Sequence, residues 1–424
     1  MTLSAGRSQY PETALVIGGG IVGLTTAYAL ARAGLRVTIL DAGPVNRRAS
    51  TATAGIIGGS SVIPWAEAGL WRRLPRMILD RREPLFLSWP PPKGLWSFVR
   101  QSRRASRPEA VLASASGLAN LGLKGLGAWR ELLSDLPQAA SLFQQNGCLF
   151  FYATSRDREA DASGTALRRS FGMDLTDLTA EDMRNRLPSL ESPVAGGMCV
   201  NSAGHVTDPR ALQEYLKQAV IDLGGTCVNS PATELEIDGG MVGTVRSSAG
   251  RQEADIVILA AGAGASNLAR ELGLQVPMTP AWGVSITFEN SDVDLELPVL
   301  VLGDGYAATP SDQGLRVSGL LQVGGAGKST AMQARLVELA KGLFGQFSYT
   351  GIQSFTGPRP LMADSLPILG QDPTCRNVYH NFGHGHWGLT QAAISAQVIA
   401  NLVTGQAAGL DIAAYSPARF RNSS

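Results

Sequence analysis

Gly18-Gly19-Gly20-Ile21-Val22-Gly23, followed eighteen residues after Gly23 by Asp41, have the types and spacing to hold a dinucleotide. A pyrophosphate needs backbone N–H groups at a helix N-terminus, and glycines let the backbone approach it closely. Asp41, with Ala42 beside it, stands where a carboxylate can accept hydrogen bonds from both ribose hydroxyls. It would repel a 2′-phosphate, which leaves FAD and NAD. A second set lies near the other end of the chain. Gly383-His384-Gly385-His386-Trp387-Gly388 opens an uncharged helix from Leu389 to Leu402. Gly383, Gly385, His386, Trp387, Gly388, Leu389 and Thr390 would aim N–H groups and a positive dipole end at something electron-rich. With a flavin nearby, that target would be its pyrimidine N1 and C2=O edge.

These groups need a particular frame. Ala14 to Ile17 reads as a buried parallel strand, the glycine turn opens a helix, and Leu35 to Leu40 forms the next strand. Arg47 to Gly59 is a run of small residues without helical period. In it Ser50, Thr51, Ala54, Gly55 and Ile56 let backbone lie against a flat ligand. Some 200 residues downstream, the strand Glu253 to Gly262 runs into small residues, and Ala261 and Gly262 permit a second close approach. Val228, in the strand after Gly224-Gly225, is assigned to the same cofactor set. A nucleotide domain interrupted in this way suits a large flavoprotein better than a compact NAD dehydrogenase. Trp282 to Phe288, Val299 to Leu302, Tyr306 to Thr309 and Leu315 to Gly319 predict an antiparallel sheet in the inserted region.

With 424 residues, 44% of them hydrophobic, the chain can bury a large core and form two domains. A formal charge of +1 gives no general attraction to nucleic acid, and none is expected as a partner. Four scattered cysteines without a CxxC pair fit a reducing compartment and argue against a zinc ribbon or disulfide framework; no metal site is expected. The absence of an apolar leader or span points to a cytoplasmic location, with peripheral membrane binding open. That possibility comes from Trp71 to Arg107, where ten Lys or Arg face two acids for a local net charge of +8. Trp65, Trp71, Trp89 and Trp96 accompany it. Tryptophan with arginine suits an anionic membrane interface, the alternative being a solvated basic surface over core tryptophans. Gly324 to Thr330 superficially resembles a phosphate loop, but Gln322 stands where the motif needs glycine. His205, in a Gly-His-Val turn, reads as structural.

Taken together, GGGIVG with Asp41, the SxAxAG pattern at Ser50 to Gly55, Gly204-His205-Val206, Ala260-Ala261-Gly262, Gly357-Pro358-Arg359-Pro360 with Asp364 and Pro367, and Gly383-His384-Gly385 resemble the D-amino-acid oxidase and dehydrogenase superfamily, and most closely its bacterial dehydrogenases. The resemblance implies an α/β fold: a Rossmann-like FAD-binding domain with an inserted α+β substrate domain containing a mostly antiparallel sheet. The FAD-binding domain would comprise 1–85, 190–280 and 355–424, and the substrate domain 86–189 and 281–354. Such enzymes move a hydride from an amine-bearing carbon to flavin N5 and leave an imine that water hydrolyses to an oxo acid and ammonia. Arg359 matches the arginine that holds the substrate carboxylate, Tyr306 is a second carboxylate or amine contact, and His384 is a turn residue close to the flavin. FAD would be non-covalent, and electrons would pass to a quinone or other carrier. Oxidation of a secondary amine acid such as sarcosine, an opine or hydroxyproline, possible as one subunit of a complex, is the alternative in the same chemistry; an electron-relay subunit without substrate is the alternative outside it. Thr53, Ile56, Ser365, His386 and Trp387 depart from the pattern of the dehydrogenases and leave the side-chain preference open.

Overall fold

The computed structural model describes residues 11–58, 62–66, 71, 85–87, 94–325 and 330–421. β1 (Thr13–Ile17), α1 (Ile21–Arg32) and β2 (Arg36–Asp41) form the expected unit. Ala14 to Ile17 are all buried, as they must be in a parallel strand covered on both faces. After β2 the chain leaves this sheet and comes back as β3 (Thr226–Asn229), β4 (Ile256–Leu259), β5 (Ile368–Gln371) and β6 (Val378–Phe382). The spatial order is β3-β2-β1-β4-β6-β5. Only the β5–β6 pair is antiparallel.

Two long helices complete this unit, α2 (Pro108–Leu132) and α3 (Gly388–Val403). The Trp129 indole N–H donates to Leu389 O at 2.8 Å. Gly125 lets α2 come so close to α3 that an added Cβ would stand 2.3 Å from Thr390 O. Burying Leu24, Leu118, Leu121, Trp129, Ile394 and Val398 between these helices and the sheet supplies the driving force for their packing.

The second sheet has nine strands. Gly351–Met362 forms one edge beside Met278–Glu289, and the sheet continues through Gly314–Val323, Tyr306–Ser311 and Val299–Val301 to Cys148–Tyr152 and Gly196–Val200. Its pairings are antiparallel except Val299–Val301 with Cys148–Tyr152 and Leu85–Leu87 with Gly314–Val323. The helix Thr330–Phe344 packs on it around Phe288, Ile286 and Val317. The large sheet meets the nucleotide unit where Gly357 faces residues 48 and 49; a Cβ at Gly357 would lie 2.3 Å from Ala49 N.

Of the basic segment, residues 72–84 and 88–93 lie outside the described residues, as do 326–329 of the rejected phosphate loop. Trp65 stacks on Phe98 at 5.3 Å and donates to Met362 O at 2.7 Å, so it is half-buried against the core. Trp71 donates to Ser106 Oγ at 2.7 Å, whereas Trp96 is 83% exposed. Among the described residues no helix is long and apolar enough to cross a membrane.

Candidate active site

A cavity of about 650 Å3 runs from the C-terminal ends of β1, β4 and β6 to the large sheet. At its nucleotide end, Gly20 precedes α1 without a side-chain cap. Ile21 N–H donates to Ser50 Oγ at 2.9 Å and Leu24 N–H makes the first bond of the helix, leaving Val22 and Gly23 to present N–H groups at the helix start. Gly18 adopts φ +120, and a Cβ there would sit 2.5 Å from Ala260 O, so the chain just past β1 can lie against the end of β4 only as glycine. The Asp41 carboxylate accepts Gly19 N–H at 3.2 Å and pairs with Arg48, whose guanidinium also donates to Gly43 O at 3.2 Å.

The structure brings most of the expected residues together. Gly18, Gly20, Ile21, Val22, Asp41, Ala42, Ser50, Ala54, Ile56, Ala261 and Gly262 line the cavity, as do Gly383, Gly385, His386, Trp387, Gly388, Leu389 and Thr390. Gly23, Thr51, Gly55 and Val228, expected in the same cofactor set, do not line it. Gly23 packs on Gly18 O, where a Cβ would come within 1.9 Å. Thr51 is fully buried and donates to Val45 O at 2.8 Å. Gly55, at φ +80, lies against Val206 O, and Val228 pairs with Leu40 inside the sheet. These four shape the frame behind the surface.

Arg359, Tyr306 and His384 also border the cavity, with different consequences. The Arg359 guanidinium lies across Gly283 on the neighbouring strand, where a Cβ would be 2.7 Å from it. It donates to Ala52 O and to His386 Nδ1, each at 3.3 Å, and no carboxylate among the described residues is within ion-pair distance of it. Burial pulls its pKa down to about 10, so it remains a cation at neutral pH. Because arginine can only donate, His386 Nδ1 is the acceptor and its ring is neutral with the proton on Nε2. Desolvation at the cavity wall first, and the Arg359 charge second, hold His386 below the usual imidazole value, although its side chain is exposed. His384 is held down to about 3 by burial alone and shares a 3.1 Å hydrogen bond between Nε2 and Ser395 Oγ.

Tyr306 requires a correction. Its hydroxyl donates to Leu339 O at 3.2 Å, inside the core beneath the Thr330–Phe344 helix, and burial raises its pKa. The phenol end therefore points away from any ligand. His205 is buried with both ring nitrogens unpartnered and a pKa lowered to about 4 by desolvation, in keeping with a structural residue. Residues the sequence reading did not single out also line the cavity: Arg47 and Arg48, Asn381, and the apolar Leu300, Val301 and Leu302. The Arg47-Arg48 pair was visible as a basic doublet six residues past Asp41, but only the turn at Gly43-Pro44 folds it back onto the carboxylate.

An uncapped helix start behind a glycine turn, a carboxylate at the end of β2 and a second helix start at Gly388 together fit an extended dinucleotide, and define a dinucleotide-binding fold. The chain belongs to the FAD dependent oxidoreductase family, whose model matches residues 13–402. FAD is the cofactor of that family. A D-amino-acid oxidase of Bradyrhizobium diazoefficiens is 29% identical over 416 residues, covering 96% of this chain and 98% of its own. A D-amino acid dehydrogenase of Cereibacter sphaeroides is 29% identical over 421 residues, with 96% and 95% covered. In fold, the chain is similar to iminodiacetate oxidase from Chelativorans at a TM-score of 0.71 and 21% identity, over 95% of this chain and 98% of that one.

Proposed function

We propose that the protein is an FAD-dependent dehydrogenase or oxidase of an amino acid, of D configuration, that yields an oxo acid and ammonia. The observation that carries the reading is Arg359, a half-buried guanidinium at the cavity wall with no acid within ion-pair distance among the described residues. A guanidinium so placed can take a carboxylate by two parallel hydrogen bonds and fix which bond of the α-carbon faces the flavin. Bound FAD supplies the hydride acceptor. Gly18 to Gly23 and Asp41 hold its nucleotide half, and residues 50–56 with the start of α3 border the rest. His386 accepts from Arg359 and so sets the plane of the clamp. Leu300 to Leu302 and Trp387 give the wall an apolar side on which a substrate side chain can rest. Asp41 is the one carboxylate among the lining residues, so the amine meets no fixed countercharge and reacts as the neutral base. The names of the relatives at 29% identity support the D configuration.

The absence of an acid near Arg359 suits a secondary amine equally well, which keeps oxidation of an N-substituted amino acid as a second reading. We further take the FAD-binding domain to be the three segments 1–85, 190–280 and 355–424, although the strand Gly196–Val200 pairs within the large sheet. The electron acceptor is a quinone or other carrier at an anionic membrane surface. Exposed Trp96, with Arg100, Arg103, Arg104 and Arg107 also exposed on and just after one helix, supports this.

Anaerobic bleaching of the yellow cofactor across D- and L-amino acids and N-alkyl glycines tests the function. Bleaching by D-amino acids alone is expected; bleaching by N-alkyl glycines alone would establish the second reading, and none by any would leave an electron relay.

A further inference from the structure

Arg316 lies behind the cavity rather than in its wall. It is 3% exposed, on the strand Gly314–Val323, in register with Thr287 on one neighbouring strand and Thr309 on the other. Among the described residues no carboxylate is within ion-pair distance of it. Instead its Nη1 donates to Thr51 O at 3.2 Å, to Thr53 O at 3.3 Å and to Ser285 Oγ at 3.4 Å, while Nε has no partner. Desolvation lowers its pKa to about 10, opposed by the field of Asp208, so it is a cation at neutral pH. A buried cation held by carbonyls costs stability that an apolar side chain of similar size would not.

What it holds explains why it is there. Thr51, Ala52 and Thr53 are gripped in alternation, the outer two carbonyls by Arg316 and the middle one by Arg359 Nη2 at 3.3 Å. In a trans peptide the N–H points opposite to the C=O. With Thr53 O turned to Arg316, Ala54 N–H is turned the other way. Ala54 lines the cavity, and its N–H has no partner among the described residues.

We propose that Arg316 is a positioning residue of this site: it locks the Thr53–Ala54 peptide with its N–H presented to the cavity and sets a positive charge behind that peptide, making a flavin seated there a stronger electron acceptor. The inference rests on the flavin reading above. A donor and a cation aimed at where negative charge develops stabilise the reduced state more than the oxidised one.

The test compares wild type, Arg316→Gln and Arg316→Lys, each loaded with FAD. It measures bound FAD, the midpoint potential by dye equilibration, and the affinity for sulfite, which adds to oxidised flavin. Arg316→Gln is expected to keep its FAD, shift the midpoint potential downward and weaken sulfite binding by about tenfold or more, the worth of a lost charge-assisted contact. Arg316→Lys should fall between, because an ammonium keeps the charge but its shorter stem does not place a donor where Nη1 reaches both carbonyls. A glutamine variant that loses thermal stability yet keeps the wild-type potential and sulfite affinity would overturn the proposal. Should that variant not fold, wild-type values in Arg316→Lys would overturn it instead. A wild-type chain that takes up no FAD would defeat the flavin reading itself, and this inference with it.

Discussion

At the scale of single residues, the active end of the cavity is governed by one cation and two imidazoles that stay neutral. Replacing Arg359 with Leu removes the guanidinium that would take a substrate carboxylate there. The expected outcome is a loss of kcat/KM of about a hundredfold or more, while FAD content is retained. Steady-state assay with a dye acceptor measures it; an unchanged value would remove the clamp. The pKa directions make a second prediction. Buried His384 is held down to about 3, so it does not titrate between pH 5 and 9 in the folded protein, and His386 is held down in the same direction by desolvation and the Arg359 charge. The pH profile of kcat/KM should then rise only with deprotonation of the substrate amine and show no limb near 6.5. Stability behaves differently. Fully buried His384 is neutral in the folded chain, but its unfolded counterpart takes a proton below about 6.5. Stability is therefore full above that pH and is lost as pH falls toward 3, with a slope of about 1.4 kcal/mol per pH unit from this one group. Urea unfolding at pH 7 and pH 5 should differ accordingly, and His384→Gln should flatten the difference.

At the scale of elements, the contact between α2 and α3 decides where the cavity wall stands. Gly125→Ala would drive a methyl into Thr390 O and separate the two helices, at a cost of about 1–3 kcal/mol. Because Thr390 lines the cavity, FAD affinity should fall as well. Gly127 is two positions away on α2, exposed, with nothing within 4 Å of an added Cβ. There the same substitution should be neutral or stabilising by up to about 1 kcal/mol, through helix propensity alone. Thermal melts and flavin titration of both variants check the pair. The same scale explains what could be read in advance. The β1–α1–β2 unit is local, its strand, turn, helix and acid falling within about thirty residues, and it was legible. The GHG turn and Arg359 were legible through their motifs. Tyr306 was not, because alternation along a strand gives two faces without saying which one meets the ligand and which meets the Thr330–Phe344 helix. Arg316 escaped for a related reason: its partners are main-chain carbonyls more than 260 residues away, which leave no side-chain pattern to find.

At the scale of the whole molecule, the cavity belongs to neither sheet alone, since Gly18 and Ala261 approach it from one and Arg359 and Leu300 from the other. Occupancy by FAD should therefore raise the melting temperature of both sheets together, in a single transition that shifts with ligand concentration. Two separated transitions in the calorimeter, with only one moving, would mean that the units unfold independently. The order of return to the first sheet has its own consequence. β6 and α3, which bring in Asn381 and the residues from Gly383 to Thr390, are among the last elements of the described chain. During synthesis the pocket is open on one side until those residues have left the ribosome, so stable capture of the pigment has to wait until the chain beyond Thr390 has emerged. Nascent chains arrested before residue 378 should emerge colourless and sensitive to protease, and a shortage of riboflavin in the growth medium would be felt as degradation of newly made protein rather than as slow turnover of protein already folded.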